Sequence, residues 1–89
     1  MAWLIKFSKK AFKDLEKLDK QTAQRVTRFL RERVALLDDP RSIGEALEGP
    51  KLKDFWKYRV GDYRIVSTIE DRTICILVVK IGNRREVYR

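Results

Sequence analysis

The hydrophobic pattern changes period twice along the chain. Ala2 to Phe7 is short, apolar and aromatic, and predicts a strand. Ser8 precedes a charged, helix-forming stretch and is placed as an N-cap. Ala11, Phe12, Leu15 and Leu18 then recur at helical spacing, which predicts an amphipathic helix of about three turns. Asp19 breaks that pattern and can cap a second helix. Ala23, Val26, Phe29 or Leu30, Val34 and Leu37 carry the second helix at steps of three and four. Asp38-Asp39-Pro40 ends it, because a residue before proline avoids the helical region. Two helices with so short a joint make a helical hairpin. From residue 41 to 54 the pattern is irregular. Gly44, Gly49 and Pro50 punctuate it, and Ile43, Ala46, Leu47 and Leu52 are candidates to pin it to the core.

Beyond that segment the period is two. Phe55 to Val60 and Tyr63 to Ile69 flank Gly61-Asp62, which predicts a tight hairpin. Glu70-Asp71-Arg72 makes the next turn. Thr73 to Ile81 is the most apolar stretch and predicts the central strand, broken by Gly82-Asn83. Glu86-Val87-Tyr88 allows a short terminal strand. The fold class expected is therefore α+β: a two-helix hairpin packed on one face of a mainly antiparallel four-stranded sheet, in the order β-α-α-β-β-β. The sequence has no repeat, linker or low-complexity segment, so residues 1–89 read as a single domain.

Composition narrows the chemistry. The chain has 89 residues, 21 Lys plus Arg against 13 Asp plus Glu, and a net charge of +8. Such an excess points to a polyanion, a membrane surface or an acidic protein as partner. The absence of histidine removes the commonest catalytic base and metal ligand. One cysteine excludes an intrachain disulfide and a paired-thiol site. The longest apolar run, Ile74 to Val79, falls far short of the ~20 residues of a spanning helix. No signal-peptide pattern opens the chain, so a cytoplasmic location without membrane attachment is expected.

Strand alternation places Phe55, Lys57 and Arg59 on one side, and Trp56, Tyr58 and Val60 on the other. Arg64 shares a side with Val66 and Thr68. If the helices cover one face, the basic side chains stand on the open face or its rim, because unpaired buried charge is costly. Lys57, Arg59 and Arg64 then flank one hairpin, and Arg84, Arg85 and Tyr88 follow the central strand toward the same surface. Lys, Arg and Tyr on a sheet suit phosphate contact with base stacking. The plainer alternative is ordinary solvated charge, since polar residues alternate outward on any half-covered sheet. The helix cations Lys9, Lys10, Lys13, Lys17, Arg25, Arg28 and Arg31 read as solvated faces interleaved with Asp14, Glu16 and Glu32. Trp3 and Trp56 read as anchors, and Cys75 as a buried thiol.

The stretch Phe55-Trp56-Lys57-Tyr58-Arg59-Val60-Gly61-Asp62-Tyr63-Arg64-Ile65-Val66 resembles the RelE family of bacterial toxins. Val78-Val79-Lys80-Ile81-Gly82-Asn83-Arg84-Arg85-Glu86-Val87-Tyr88 is similar to that family's closing motif. Phe7 to Ala11, Asp14 to Leu18 and Leu47-Glu48-Gly49 resemble its upstream segments, so the likeness spans the chain. The resemblance implies a RelE-like fold. It further implies a cytoplasmic endoribonuclease that enters the ribosomal A site and cuts mRNA there, without cofactor or metal, by attack of the 2′-OH on the adjacent phosphate. By position, Arg64 would hold the scissile phosphate, and Lys57 and Arg59 would form the basic pair. Arg84 would stand by the leaving 5′-oxygen, and Tyr88 would be a general base or a stacking platform. Lys51, Lys53 and Arg85 would contact RNA, the two lysines because the family's basic loop position is Glu48 here. Arg59 replaces a lysine of well-known members, which shifts acid–base duty toward Lys57 or Tyr88. The implied partners are the ribosome with its mRNA and a cognate antitoxin, acidic and partly disordered until bound. DNA would be reached only through that antitoxin. Two rivals stand beside this reading. One is a ParE-like inhibitor of DNA gyrase without RNase activity, since ParE-type toxins share the fold. The other is a non-catalytic nucleic-acid-binding domain.

Overall fold

The computed structural model describes residues 2–49 and 54–83. Strand β1 (Leu4–Phe7) leads into helix α1 (Lys9–Lys17) and helix α2 (Lys20–Phe29). A 3-10 turn (Pro40–Ile43) and a two-residue strand β2 (Glu45–Ala46) follow. The chain then runs through β3 (Phe55–Val60), β4 (Tyr63–Glu70) and β5 (Cys75–Asn83). The sheet order is β1-β5-β4-β3-β2. β1 runs parallel to β5 and every other pairing is antiparallel. The expected α+β layout is therefore present, but the middle strand is β4, and β5, expected to be central, is an interior strand between β1 and β4. The additional strand is β2, within the irregular segment. The terminal strand expected at 86–88 lies outside the described residues, as does Leu52.

Local chemistry sets the helix ends. The Ser8 side chain accepts from Ala11 N–H at 3.1 Å and donates to Val79 O at 3.2 Å. One hydroxyl thus caps α1 and ties it to β5. Asp19 caps α2, accepting from Thr22 N–H at 3.1 Å and from the Thr22 hydroxyl at 2.6 Å. These bonds, the hydroxyl's first, hold its carboxyl below the usual range. α2 continues as a π-helical turn, Leu30–Val34, closed by Ala35 N–H on Leu30 O at 2.8 Å. That wider turn keeps Leu30 and Val34 both fully buried.

The core lies between the helices and one sheet face. Val26, Leu30, Val34, Tyr58, Ile65, Ile76 and Val78 are buried there, with Trp3, Ile5, Phe7 and Trp56 packed around them. A bulge in β5 decides which residues join them. Ser67 pairs with Val78, but Val66 pairs with Lys80, so Val79 is the extra residue. Unbulged pairing would set Lys80 opposite Ile65, inside the core. With the bulge, Ile81 takes that place and Lys80 turns to the opposite face. The strand also runs on through Gly82 and Asn83, where the sequence suggests a break. At the other end the turn extends to Ile74, which adopts φ +50, an uncommon conformation for a β-branched residue. No helix among the described residues is long and apolar enough to cross a membrane.

Asp14 departs from its reading as a solvated helix charge. It is 7% exposed, accepts the Ile81 N–H at 3.0 Å and pairs with Lys10. β1 pairs with β5 only as far as Val78, so the carboxylate stands in for the missing strand partner. Asp14→Ala is expected to lower the unfolding free energy by about 1–3 kcal/mol, the cost of stranding a buried donor. Urea denaturation measures this, and an unchanged midpoint would show that the Asp14–Ile81 bond anchors nothing.

Candidate functional site

The site is built on the β3–β4 hairpin. Gly61, at φ +58, takes the left-handed turn position, and pairing runs from Val60–Tyr63 to Phe55–Thr68. This register puts Arg59 directly opposite Arg64, and Lys57 opposite Val66. On the next strand Gly82 faces Arg64 and Lys80 faces Val66. Lys57, Arg59, Arg64 and Lys80 therefore occupy neighbouring positions on the face away from the core. Like charges directly opposite each other destabilise a sheet. Such a pair is tolerated most readily where an anion sits between the two.

Arg64 carries the decisive feature. It is not at a rim, as cost alone would suggest, but 9% exposed. Its Nη1 is buried and has no hydrogen-bond partner among the described residues. A cleft of about 260 Å³ opens at this position, lined by Ile43, Glu45, Lys57, Tyr58, Arg59 and Arg64. Three cations and one carboxylate line it. The carboxylate is Glu45, whose Oε2 lies 3.4 Å from Lys57 Nζ across the β2–β3 pair. A buried guanidinium with an unused donor and a second arginine beside it can hold a phosphate through several N–H bonds. Glu45 can take a proton from a group brought to that phosphate.

The wall of the cleft is fixed from behind. Tyr58 is 1% exposed and donates its hydroxyl to Pro40 O at 2.7 Å. Burial pushes the phenol up to about 12, against the opposing charge of Arg41. Gly44 packs on the same ring, where a Cβ would come within 3.0 Å of Tyr58 Cε1. Arg41 bonds Asp71 through both terminal nitrogens, at 3.1 and 2.8 Å, and its guanidinium stands 5.9 Å from the centre of the Trp56 ring. Those bonds raise the Arg41 pKa and lower that of Asp71. Ile43 and Ala46, expected to pin this segment, are instead exposed. The pinning is done by Pro40, Arg41 and Gly44 on Tyr58, Asp71 and Trp56.

The structure brings together three of the residues singled out from the sequence: Lys57, Arg59 and Arg64. Arg84, Arg85, Tyr88, Lys51 and Lys53 lie outside the described residues. Glu45 was missed by sequence reasoning. It sits in an irregular segment, and its only sequence signal is a carboxylate beside Gly44 that acquires meaning once β2 pairs with β3. Lys80 was missed because the bulge that turns it outward leaves no mark in an apolar run. Among the described residues, no group of three Cys, Asp or Glu side chains is placed to hold a metal ion.

The fold and its cleft define a class of small α+β domain with a cation-lined sheet face. Against known families, residues 5–88 match the ParE toxin of type II toxin–antitoxin systems (parDE), and the chain belongs to that family, within the RelE/ParE superfamily. It is 32% identical to a RelE-like toxin protein of Escherichia coli over 92 residues, covering 99% of this chain and 92% of that protein. It is 28% identical, with the same coverage, to the mRNA interferase toxin RelE of Escherichia coli K12. The toxin–antitoxin complex RelBE2 of Mycobacterium tuberculosis contains a chain of the same fold, with a TM-score of 0.85 at 22% identity over 97% of this chain and 95% of that one.

Raised folded-state pKa values make stability fall at high pH. The Tyr58 hydroxyl contributes fully below pH 10, the unfolded value, and its contribution is lost as pH rises toward about 12. Tyr58→Phe is expected to cost about 1–2 kcal/mol at neutral pH and to flatten the alkaline limb of a stability–pH curve. Denaturation midpoints of both proteins from pH 7 to 12 test this. Parallel alkaline limbs would contradict it.

Proposed function

We propose that this toxin is a ribosome-dependent endoribonuclease that cuts mRNA in the A site and so stops translation. The observation that carries the reading is the buried Arg64 nitrogen, without a hydrogen-bond partner among the described residues, in the lining of a cation-rich cleft. The relative named mRNA interferase supports the same substrate class.

The reaction is a transfer of phosphorus between oxygens of the same RNA. The 2′-oxygen bonds to phosphorus, the bond from phosphorus to the 5′-oxygen breaks, and the products are a 2′,3′-cyclic phosphate and a 5′-OH. One proton leaves the 2′-OH and one reaches the departing oxygen. Arg64, with Arg59 opposite, holds the phosphate and stabilises the charge that grows on it. Lys57 adds positive charge on the neighbouring rung. Arg84 serves the leaving oxygen, and Lys51, Lys53 and Arg85 contact flanking RNA. Two groups are candidates for the 2′-OH proton. Tyr88 is one, as base or as stacking platform. Glu45 is the other, as the carboxylate already in the cleft. Positioning and preorganised charge together supply the rate.

A second reading is favoured by the family description itself, which is that of ParE. A gyrase inhibitor would bind its target without RNA chemistry, and Arg64 would be dispensable to it. In either case membership of a type II toxin–antitoxin family points to a cognate protein antitoxin. An acidic segment folding on a +8 surface would give a tight, salt-sensitive cytoplasmic complex. DNA enters only through that antitoxin.

Primer extension on a defined mRNA, with translating ribosomes and with naked RNA, separates the readings. Cuts are expected only on ribosomes and in phase with codons, with Arg64→Ala at least about 100-fold slower. Glu45→Gln and Tyr88→Phe identify the base, because loss of the base removes the acid limb of the pH–rate profile. Growth arrest without cuts, unaffected by Arg64→Ala, would move the assignment to gyrase.

A further inference from the structure

The positive surface does not end at the cleft. Between Asp19 and Glu32 the chain has no acidic residue, yet it includes Lys20, Arg25, Arg28 and Arg31. α2 therefore does not carry the alternating charges of a solvated helix. Arg25, Arg28 and Arg33 converge with Arg59, Phe29 and the single carboxylate Glu32 around a depression of about 330 Å³. None of these four arginines has an ion-pair partner among the described residues. Arg59 lines both this depression and the Arg64 cleft. Gly61 lets the surface close around the turn, since a Cβ there would come within 3.3 Å of Arg25 Nη1. The Arg33 guanidinium is set over the Phe29 ring, 5.8 Å from its centre. Beyond Arg25 and Arg28 the helix offers Gln21 and Gln24 along a second depression.

We propose that this arginine face of α2 and its π-helical continuation is a second RNA-binding surface, continuous with the cleft through Arg59 and engaging the phosphodiester backbone through Arg25, Arg28 and Arg33. The inference rests on the proposed function for its partner class, and on the geometry for its location. Arginine suits phosphate because its planar fork donates two bonds at once. An acidic protein segment that folds on binding fits this face less well. Such a partner needs apolar surface to bury. The large exposed apolar residues, Leu4, Phe12, Leu36, Ile43 and Leu77, line neither depression; of the apolar residues that do, Val60 is buried and the Phe29 ring lies under the Arg33 guanidinium.

The test is binding, without cleavage. The triple variant Arg25→Gln/Arg28→Gln/Arg33→Gln and the wild type are titrated by fluorescence anisotropy with a labelled single-stranded RNA made uncleavable by 2′-O-methylation. They are titrated in parallel with ribosomes programmed with the same modified codon. Removing the cation from one phosphate should reduce the slope of log affinity against log salt by ~0.7. The triple variant should therefore show a slope smaller by about 2 and an affinity at least about tenfold weaker. A change with the oligonucleotide assigns the surface to the substrate strand. A change with ribosomes alone assigns it to ribosomal RNA, and either outcome supports the proposal. The variant Arg25→Lys/Arg28→Lys/Arg33→Lys should recover most of the slope, and it also controls for folding. Unchanged slopes in both arms would overturn the inference. If the wild type binds here with the expected slope but makes no cuts in the primer-extension assay on unmodified mRNA, the enzymatic reading fails while this surface stands.

Discussion

The bulge at Val79 is the constraint on which the rest of the structure depends. It sits in β5, an interior strand between β1 and β4, where a one-residue shift exchanges the faces of every later residue of that strand. With the bulge, Ile81 completes the core against Ile65 and Tyr58, and Lys80 leaves it. The same shift brings Gly82, which has no side chain, opposite Arg64. Two side-chain groups from the α1 region secure the irregularity. Ser8 takes the Val79 carbonyl, and Asp14 takes the Ile81 N–H where β1 no longer reaches. The helix layer thus does more than cover the core. Its anchoring groups hold the shift that turns Lys80 to the face where the β3–β4 hairpin already places Lys57, Arg59 and Arg64.

The functional face follows from that arrangement. Sheet pairing forces Arg59 and Arg64 together and sets Lys57 one rung away, with Glu45 brought in by a two-residue strand. Holding a guanidinium at 9% exposure with an unused donor is unfavourable for the folded state alone. A site that accepts this cost gains a preorganised charge, which need not reorganise when a phosphate arrives. The clamp of Pro40, Arg41 and Gly44 on Tyr58, Asp71 and Trp56 has the matching role for the wall. It fixes the segment that ends in Glu45, and places the carboxylate within reach of Lys57.

Much of this was legible in the sequence, for identifiable reasons. Ser8 and Asp19 announce their helices because capping is local chemistry. Gly61-Asp62 between two alternating runs announces the hairpin, and with it the common face of Lys57, Arg59 and Arg64. What escaped depends on residues far apart in the chain. Asp14 looks like any helix charge until Ile81 is placed beside it. Thr73 to Ile81 looks like an uninterrupted strand, because a bulge between apolar residues leaves periodicity nearly intact. Glu45 belongs to a strand too short to have a period. The arginines of α2 share a surface with Arg59 only once the helix is laid on the hairpin.

The most direct test of the central claim replaces Arg64 with methionine and compares thermal unfolding with and without inorganic phosphate. A side chain kept buried for an anion, rather than for the fold, should be dispensable to stability. Arg64→Met is therefore expected to unfold at a temperature equal to or above that of the wild type, by up to about 1–3 kcal/mol of added stability. Phosphate should stabilise the wild type and leave the variant unmoved. A variant markedly less stable than the wild type, with phosphate acting equally on both, would show that Arg64 is a structural residue and would contradict the account.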